Sequence, residues 1–242
     1  MNIKGGVKMI TTENIIQVIK ELSQNEKPYL SEAQFQFELA WRLQENKELY
    51  NIDKILLEYT ACAEKATAEK KKKRFESDII VLFNNGTYIA IELKYKTSEA
   101  EIKGVNLIQQ AGQPGTKYDY LWDIHRIELL MNEDENTDKY EYYMDNKKCI
   151  GGYAIFLTND GSYWRESKEN ESAYNFCLCD GTIQKGELKW NVGDGELKDW
   201  MKPRTPFVLL GEYKMKWETF MPYTYKNKPK EFKYLITTIK QS

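Results

Sequence analysis

Two acidic residues and a lysine interrupt two apolar segments in the first half of the chain. Asp78 precedes the apolar run 79–83, and Glu92 and Lys94 lie near the end of a second apolar run. Ionised side chains in such surroundings are normally paired or bound to a metal, because stripping water from an unpaired charge costs roughly several kcal/mol or more. The apolar context therefore favours a functional site over the alternative for such a short motif, a solvated hairpin whose lysine pairs with one acid.

The register between the two segments decides whether these side chains meet. A three-residue loop at 84–86, with its glycine in the left-handed conformation, would pair Asp78 directly with Glu92. Glu92 and Lys94 are two residues apart on one strand and therefore share a face. A two-residue loop would shift the register by one position and turn the two acids to opposite faces. We predict the three-residue loop, which gathers all three polar groups on one face.

Both faces of the predicted hairpin are otherwise apolar. The face of the polar cluster carries Ile80, Leu82, Tyr88 and Ala90. The reverse face carries Ile79, Val81, Phe83, Ile89, Ile91 and Leu93. A sheet that is apolar on both faces is normally covered on both, so we expect a central hairpin with helices on either side.

The predicted pair of carboxylates favours a metal ion. Acids held at the ~5 Å spacing of directly paired residues repel each other, which favours capture of a hard divalent cation. Mg²⁺ or Mn²⁺ suits oxygen ligands, and such a metal can polarise a phosphoryl oxygen and lower the pKa of an attacking water. Lys94 would orient that water or stabilise charge on the phosphate, and with a lowered pKa it could also take the proton.

With these residues the chain resembles the PD-(D/E)xK nuclease superfamily, which includes many restriction enzymes and archaeal Holliday-junction resolvases. The match consists of Asp78 and the tripeptide Glu92, Leu93 and Lys94, with Ser77 where the superfamily usually has proline. The resemblance implies a restriction-endonuclease-like αβββαβ core. It also implies a metal held by the two acids and by the main-chain carbonyl of Leu93.

Many members of the superfamily add a glutamate from the first core helix, and on this resemblance we assign Glu32 as a further catalytic residue and metal ligand. A helix is predicted over residues 31–46, with Glu32 and Gln36 on its buried face and Ser31 as its cap. The alternative is that Glu32 is favoured only by the helix dipole. Glu38 is displaced from that face and is the reserve candidate.

The resemblance covers roughly residues 28–165. Within it, residues 118–129 are predicted as a helix packed behind the sheet and residues 154–157 as a buried strand. Asp123 and Arg126 are expected to form an ordinary pair on the helix surface, and the alternative is that they face the cleft.

The predicted fold class is α/β, more specifically an α+β mixed sheet. Residues 1–165 form the nuclease-like core with N-terminal helices, and residues 166–242 form a β-rich C-terminal extension of added antiparallel strands packed on the core. In the core we also predict a helix at 12–23, a strand at 54–62 and a short helical stretch at 105–110. In the extension we predict strands at 173–180, 182–190, 206–213 and 232–239, either enlarging the sheet or forming a small lobe.

The net charge of −2 and the pI near 5.8 exclude a global field that attracts nucleic acid. Any attraction must be local, and the candidate is a basic segment just before Asp78 that continues beyond the motif. Such a run is otherwise a solvated loop. The nucleic-acid contacts assigned on this basis are Lys71, Lys72, Lys73, Arg74 and Lys96.

Other features of the sequence argue against a membrane-spanning protein, a secreted protein and a zinc site. No run approaches the ~18 to 20 apolar residues that span a bilayer, and the N-terminus has no hydrophobic segment of the signal-peptide kind. The four cysteines are not spaced as zinc ligands and are expected to be reduced core residues, including Cys177 and Cys179. We therefore expect a soluble cytoplasmic protein with no membrane partner.

The function expected from the motif is a Mg²⁺-dependent (or Mn²⁺-dependent) phosphodiester hydrolase, an endonuclease-like enzyme acting on DNA rather than RNA. A homodimer is expected on the resemblance alone, since nucleases that cut both strands are commonly dimers. Two alternatives stay open. The chain could be a catalytically silent nuclease fold that binds nucleic acid or protein, or a component of a host-defence system that works only with a partner.

Overall fold

The computed structural model describes residues 10–62, 74–132, 144, 147–193 and 195–240. Its helices are α1 (Thr12–Ser23), α2 (Glu32–Glu45) and α3 (Gln113–Met131). Its strands are β1 (Ile52–Cys62), β2 (Arg74–Phe83), β3 (Thr87–Lys96), β4 (Ala100–Ile102), β5 (Val105–Leu107), β6 (Lys148–Thr158), β7 (Ile183–Leu188), β8 (Phe207–Lys214), β9 (Trp217–Tyr225) and β10 (Lys228–Lys240). A single 3₁₀ turn covers Tyr174–Phe176 within these ranges.

The main sheet has six strands in the order β1-β2-β3-β6-β10-β9. Strands β3 and β6 are parallel, and the other neighbours in this sheet are antiparallel. Strands β4 and β5 form one separate two-stranded sheet, and β7 and β8 form another. The structure thus confirms the expected mixed α+β class with a mostly antiparallel sheet.

Both faces of the sheet are covered by helices, as predicted. Helices α1 and α2 pack on one face, where Ile15 and Phe35 join a core with Ile79 and Ile91. Helix α3 packs on the other face. There Ile124 joins a core with Ile80, Leu82, Tyr88 and Ala90. The division of the hairpin residues between the two cores is the one that the alternation in the sequence predicts.

The β2–β3 hairpin has the predicted three-residue loop. Gly86 has φ +81°, and its N–H donates to the Phe83 carbonyl at 3.0 Å. The ladder pairs Leu82 with Tyr88 and ends at Ile79 with Ile91. By this register, position 78 stands opposite position 92.

Strands β2 and β3 separate immediately beyond that ladder. Strand β2 continues to pair with β1 as far as Arg74, which lies opposite Cys62. Strand β3 continues to pair with β6 as far as Lys96, which lies opposite Thr158. The two halves of the sheet therefore open into a fork, with the N-terminal part of β2 on one side and the C-terminal part of β3 on the other.

The helical stretch predicted at 105–110 is wrong, because residues 105–107 form β5 and pair with β4. Lys103 and Gly104 both have positive φ, 49° and 81°, as a tight two-residue hairpin turn requires. Helix α3 also starts earlier than predicted, at Gln113, since Pro114 is tolerated in a first turn.

The sequence left open whether the C-terminal strands enlarge the main sheet or form a separate lobe, and the structure shows some strands in the main sheet and others in a separate sheet. Strands β9 and β10 enlarge the main sheet, and β10 lies between β6 and β9. Strands β7 and β8 form their own sheet beside α3. The strand predicted at 173–180 is wrong, because the chain there makes a 3₁₀ turn with N–H groups of Phe176 and Cys177 bonded three residues back. Strand β9 was missing from the prediction.

Among the described residues, the helices are all too short or too polar to cross a membrane.

The left-handed conformation at position 86 gives a test of the loop. Gly86→Ala should lower the free energy of unfolding by about 1 kcal/mol, because a Cβ is disfavoured at positive φ while no heavy atom lies within 4 Å of its position. Gly161→Ala is the control, since its Cβ would make only an ordinary 3.6 Å contact with Trp164. Equal urea midpoints for the two variants would contradict the assigned loop.

Candidate active site

The fork brings Asp78, Glu92 and Lys94 together on the sheet face covered by α3. Oδ2 of Asp78 accepts a hydrogen bond from the Leu93 main-chain N–H at 2.6 Å. Glu92 is only 2% exposed, and the electrostatic influence of Lys94 reaches both acids. The three residues of the predicted motif therefore form one cluster.

Carboxylates take the place of the missing β2 partner along the open edge of β3. Besides Leu93, the N–H of Tyr95 points into the fork and donates to Oε2 of Glu32 at 2.6 Å. A buried main-chain donor needs an acceptor, and a carboxylate is a strong one. Glu32 thus reaches the fork from α2, as the sequence suggested, and its carboxylate accepts a main-chain hydrogen bond there.

Helix α2 also fixes the main chain at position 78. Nε2 of Gln36 donates to the Asp78 carbonyl at 2.6 Å and to Oε1 of Glu58 at 2.7 Å. Glu58 has φ +49° in the middle of β1. Gln36 lies one helical turn after Glu32, so one face of α2 supplies contacts to both sides of the fork.

Helix α3 supplies two further charges, and the expectation of an ordinary surface pair there is wrong. Nη2 of Arg126 donates to Oε2 of Glu92 at 2.6 Å and lies 3.0 Å from Oδ1 of Asp123. The other oxygen of Asp123 forms an ion pair with Nζ of Lys94. Asp123 is 4% exposed, so the cleft-facing alternative is the correct one.

These contacts form a continuous chain of alternating charge. It runs from Glu92 through Arg126 and Asp123 to Lys94, whose Nζ also donates to the Leu93 carbonyl at 3.1 Å. Each ionised group in the chain touches an opposite charge, as burial requires.

Asp123 and Arg126 were expected on the helix surface, but α3 is buried on several sides. Its residues Tyr120, Leu121, Ile124 and Ile127 are fully buried, and the helix packs against the sheet on one side and β8 on another. Apolar residues occur all around this helix in the sequence. That pattern indicates burial on all sides and was the available signal that its charged residues would be enclosed.

Burial raises the pKa of both acids of the motif. For Asp78 it raises the pKa to about 6, although Lys94 and the Leu93 N–H act in the opposite direction. For Glu92 burial holds the pKa well above its ordinary value, against the effect of Arg126 and with the help of Asp123. Burial therefore disfavours the charged form of both carboxyl groups.

The ammonium of Lys94 is strongly held. Burial alone would lower its pKa, but Asp123 and Glu92 outweigh burial and raise the pKa above its ordinary value. In this arrangement Lys94 is a charged donor, and the alternative of a lysine with a lowered pKa that accepts a proton is not favoured.

The cluster has features that suit a divalent cation. Asp78, Glu92 and Asp123 carry three negative charges against two positive ones on Lys94 and Arg126. Oε1 of Glu92 is buried without a hydrogen-bond partner. Within the described ranges, no three His, Cys, Asp or Glu side chains are arranged to hold a metal ion. Asp78 and Glu92 would therefore need main-chain, water or substrate oxygens to complete a shell, which Mg²⁺ accepts.

The expected nucleic-acid contacts are only partly described. Lys71, Lys72 and Lys73 lie outside the described residues, as does the side chain of Arg74, whose main chain begins β2. Lys96 is half-buried at the end of β3, two residues beyond Lys94.

No family model, no curated protein and no solved structure matches this chain.

The pairing of Glu92 with Arg126 gives a prediction for stability. Arg126→Met should lower the free energy of unfolding by about 3 to 5 kcal/mol, because it leaves a buried carboxylate without its cation. Adding Glu92→Gln to that variant should recover a large part of the loss. Urea unfolding of the two single variants and the double variant measures the coupling.

Arg42→Met is the control, since Arg42 and Glu45 form an exposed pair at 2.8 Å. Its loss should stay within about 1 kcal/mol. Additive effects of Arg126→Met and Glu92→Gln would contradict a direct interaction.

Proposed function

We propose that this protein is a metal-dependent phosphodiester hydrolase acting on DNA, with Asp78, Glu92 and Lys94 as its catalytic set. The observation that carries the proposal is the position of these three residues at the fork, where a buried oxygen of Glu92 has no hydrogen-bond partner. Apart from the small β4–β5 hairpin, the elements follow the order α2-β1-β2-β3-α3-β6, which supports a restriction-endonuclease-like core because that superfamily has the order αβββαβ.

Asp78 and Glu92 would hold Mg²⁺ or Mn²⁺ together with the Leu93 carbonyl. When bound there, the ion would supply an activated water and neutralise charge on a phosphoryl oxygen. A side chain of the protein would supply the remaining stabilisation of the phosphate. Lys94 presents a fixed ammonium beside the acids and would stabilise negative charge on the phosphate.

Asp123, Gln36 and Glu32 act as positioning residues in this proposal. Asp123 holds Nζ of Lys94 in the fork, and Gln36 fixes the Asp78 main chain. Glu32 holds the main chain one residue after Lys94 through the Tyr95 N–H. This bond makes Glu32 a weaker candidate for direct contact with the metal than Asp78 or Glu92.

The phosphate backbone of DNA would approach the open side of the fork. Lys96 lies at this end of β3, and the basic residues 71–74 directly precede and begin β2. A local basic patch is needed because the chain as a whole is slightly acidic.

Cleavage of DNA by the purified protein tests the proposal. With Mg²⁺ or Mn²⁺ we expect turnover of single-stranded, double-stranded or branched DNA, and a loss of about 10²- to 10⁴-fold in Lys94→Met and Asp78→Asn. Lys54→Met, at an exposed position of β1, is the matched control and should keep wild-type activity.

Circular dichroism of each variant separates loss of chemistry from loss of fold. Folded wild-type protein that cleaves none of these substrates, or activity that Lys94→Met and Asp78→Asn leave unchanged, would overturn the hydrolase.

Metal binding gives an independent test that needs no substrate. Mn²⁺ titration followed by electron paramagnetic resonance should show one site, weakened about tenfold or more by Asp78→Asn and Glu92→Gln. Glu32→Gln should weaken it less, because the Glu32 carboxylate already accepts the Tyr95 N–H. Equal effects of all three variants would make Glu32 a direct ligand.

A second candidate function is a catalytically silent module that binds nucleic acid or protein. The pairing of Glu92 with Arg126 and of Lys94 with Asp123 favours it, because each of these two motif residues already has an oppositely charged partner on α3. This candidate predicts DNA binding without turnover, unaffected by Asp78→Ala. The same cleavage and binding measurements separate the two functions.

A further inference from the structure

A second cluster of reactive groups lies at the other end of α3, away from the fork. It consists of Lys117, in the second turn of α3, and of Ser167, Cys177, Cys179 and Thr182 from the segment between β6 and β7. None of these residues takes part in the contacts of the candidate active site.

Lys117 is a buried cation with a neutral hydrogen-bond partner. It is 4% exposed, and its Nζ donates to Oγ of Ser167 at 3.2 Å. Burial lowers the pKa of Lys117, and the largest opposing influence is the sulfur of Cys177. An ammonium enclosed in this way is stabilised by a nearby anion, and a thiolate can supply one.

The two thiols are held close together. The Cys179 main-chain N–H donates to Sγ of Cys177 at 3.3 Å. The Thr182 hydroxyl lies 2.7 Å from Sγ of Cys179 and 4.0 Å from Sγ of Cys177. Both sulfurs therefore surround one hydroxyl, an arrangement that a pair of residues on an ordinary extended strand does not produce.

The surroundings distinguish the two sulfurs. Burial alone would raise the pKa of the Cys177 thiol, but hydrogen bonds from Cys179 and Ser167 bring it below its ordinary value. Burial and the neighbouring Cys177 raise the pKa of Cys179. The surroundings thus favour the thiolate form more at Cys177 than at the half-buried Cys179.

We propose that Cys177 and Cys179 form a peroxide-sensitive dithiol site, with Cys177 as the nucleophile, Cys179 as the resolving thiol and Lys117 as the cation that supports the Cys177 thiolate. The ligand class is a small hydroperoxide. The inference is independent of the hydrolase, since no fork residue contributes.

The peroxide is the oxidant that converts the two thiols into a disulfide. Sγ of Cys177 attacks one oxygen of H₂O₂, the O–O bond breaks, hydroxide leaves, and a sulfenic acid forms. The Cys179 thiol then attacks that sulfur and gives up its proton, so that water leaves and a disulfide forms. Two sulfurs are oxidised, and one peroxide is reduced to water and to a hydroxide, which becomes a second water by taking up the proton that Cys177 lost on forming the thiolate.

Peroxide treatment of the reduced full-length chain tests this site. We expect loss of two alkylatable thiols and a mass decrease of two hydrogens, located by peptide mapping to the tryptic peptide 169–185. In Cys179→Ser the reaction should stop at a sulfenic acid that dimedone traps on Cys177. In Cys177→Ser the corresponding adduct on Cys179 should be absent or at least about tenfold slower.

Lys117→Met should slow the peroxide reaction about tenfold, whereas Lys168→Met, at an exposed neighbour of Ser167, should not. Should Lys117→Met fail to fold, the two cysteine variants decide alone. A peroxide rate at Cys177 no faster than at the buried Cys149, or equal dimedone labelling of Cys177→Ser and Cys179→Ser, would overturn the proposal.

Discussion

The separation of β2 from β3 is the constraint on which the candidate site depends. Once the ladder ends at Ile79, the N–H groups of Leu93 and Tyr95 lose their strand partner while β3 stays buried beside β6. An unsatisfied buried donor costs about 1 to 3 kcal/mol, so acceptors must be supplied from elsewhere. Asp78 and Glu32 supply them, and the same requirement that stabilises the sheet draws two carboxylates into one cleft.

The carboxylates at the fork need oppositely charged partners, and α3 contributes to these. With Glu92 almost fully buried, the site holds more negative charge than its neighbours on the sheet can balance. Arg126 forms an ion pair with Glu92, and Asp123 forms ion pairs with both Arg126 and Lys94. The sheet and β8 enclose this helix, which restricts the charged side chains to one arrangement although Arg126 and Lys94 stay partly exposed.

The sequence predicted those features of the structure that follow from local rules, such as loop length and the alternation of side chains along a strand. The loop at 84–86 and the alternation along β2 and β3 predicted the register, the two apolar faces and the meeting of Asp78 with Glu92. Glu32 was predicted from helical spacing and from resemblance. The sequence left Asp123 and Arg126 open between the helix surface and the cleft, because apolar residues all around α3 do not show which face packs on the sheet and which on β8, a strand much later in the chain. The 3₁₀ turn after Ala173 lies where a strand was predicted, and β9, which pairs with the adjacent β10, was not predicted.

The two proposed functions differ in what neutralises the excess negative charge at the fork. In the structure Arg126 and Lys94 offset two of the three acids on the α3 face, so one negative charge remains. Burial, and to a smaller extent the neighbouring acids, raise the pKa of Asp78 and of Glu92. A divalent cation shared by Asp78 and Glu92 would remove that remainder and would use the Glu92 oxygen that has no partner. In a binding module, a proton or a basic partner would neutralise the remaining negative charge instead. The group that neutralises this charge, rather than the identity of the residues in the cluster, therefore distinguishes the proposed hydrolase from the proposed binding module.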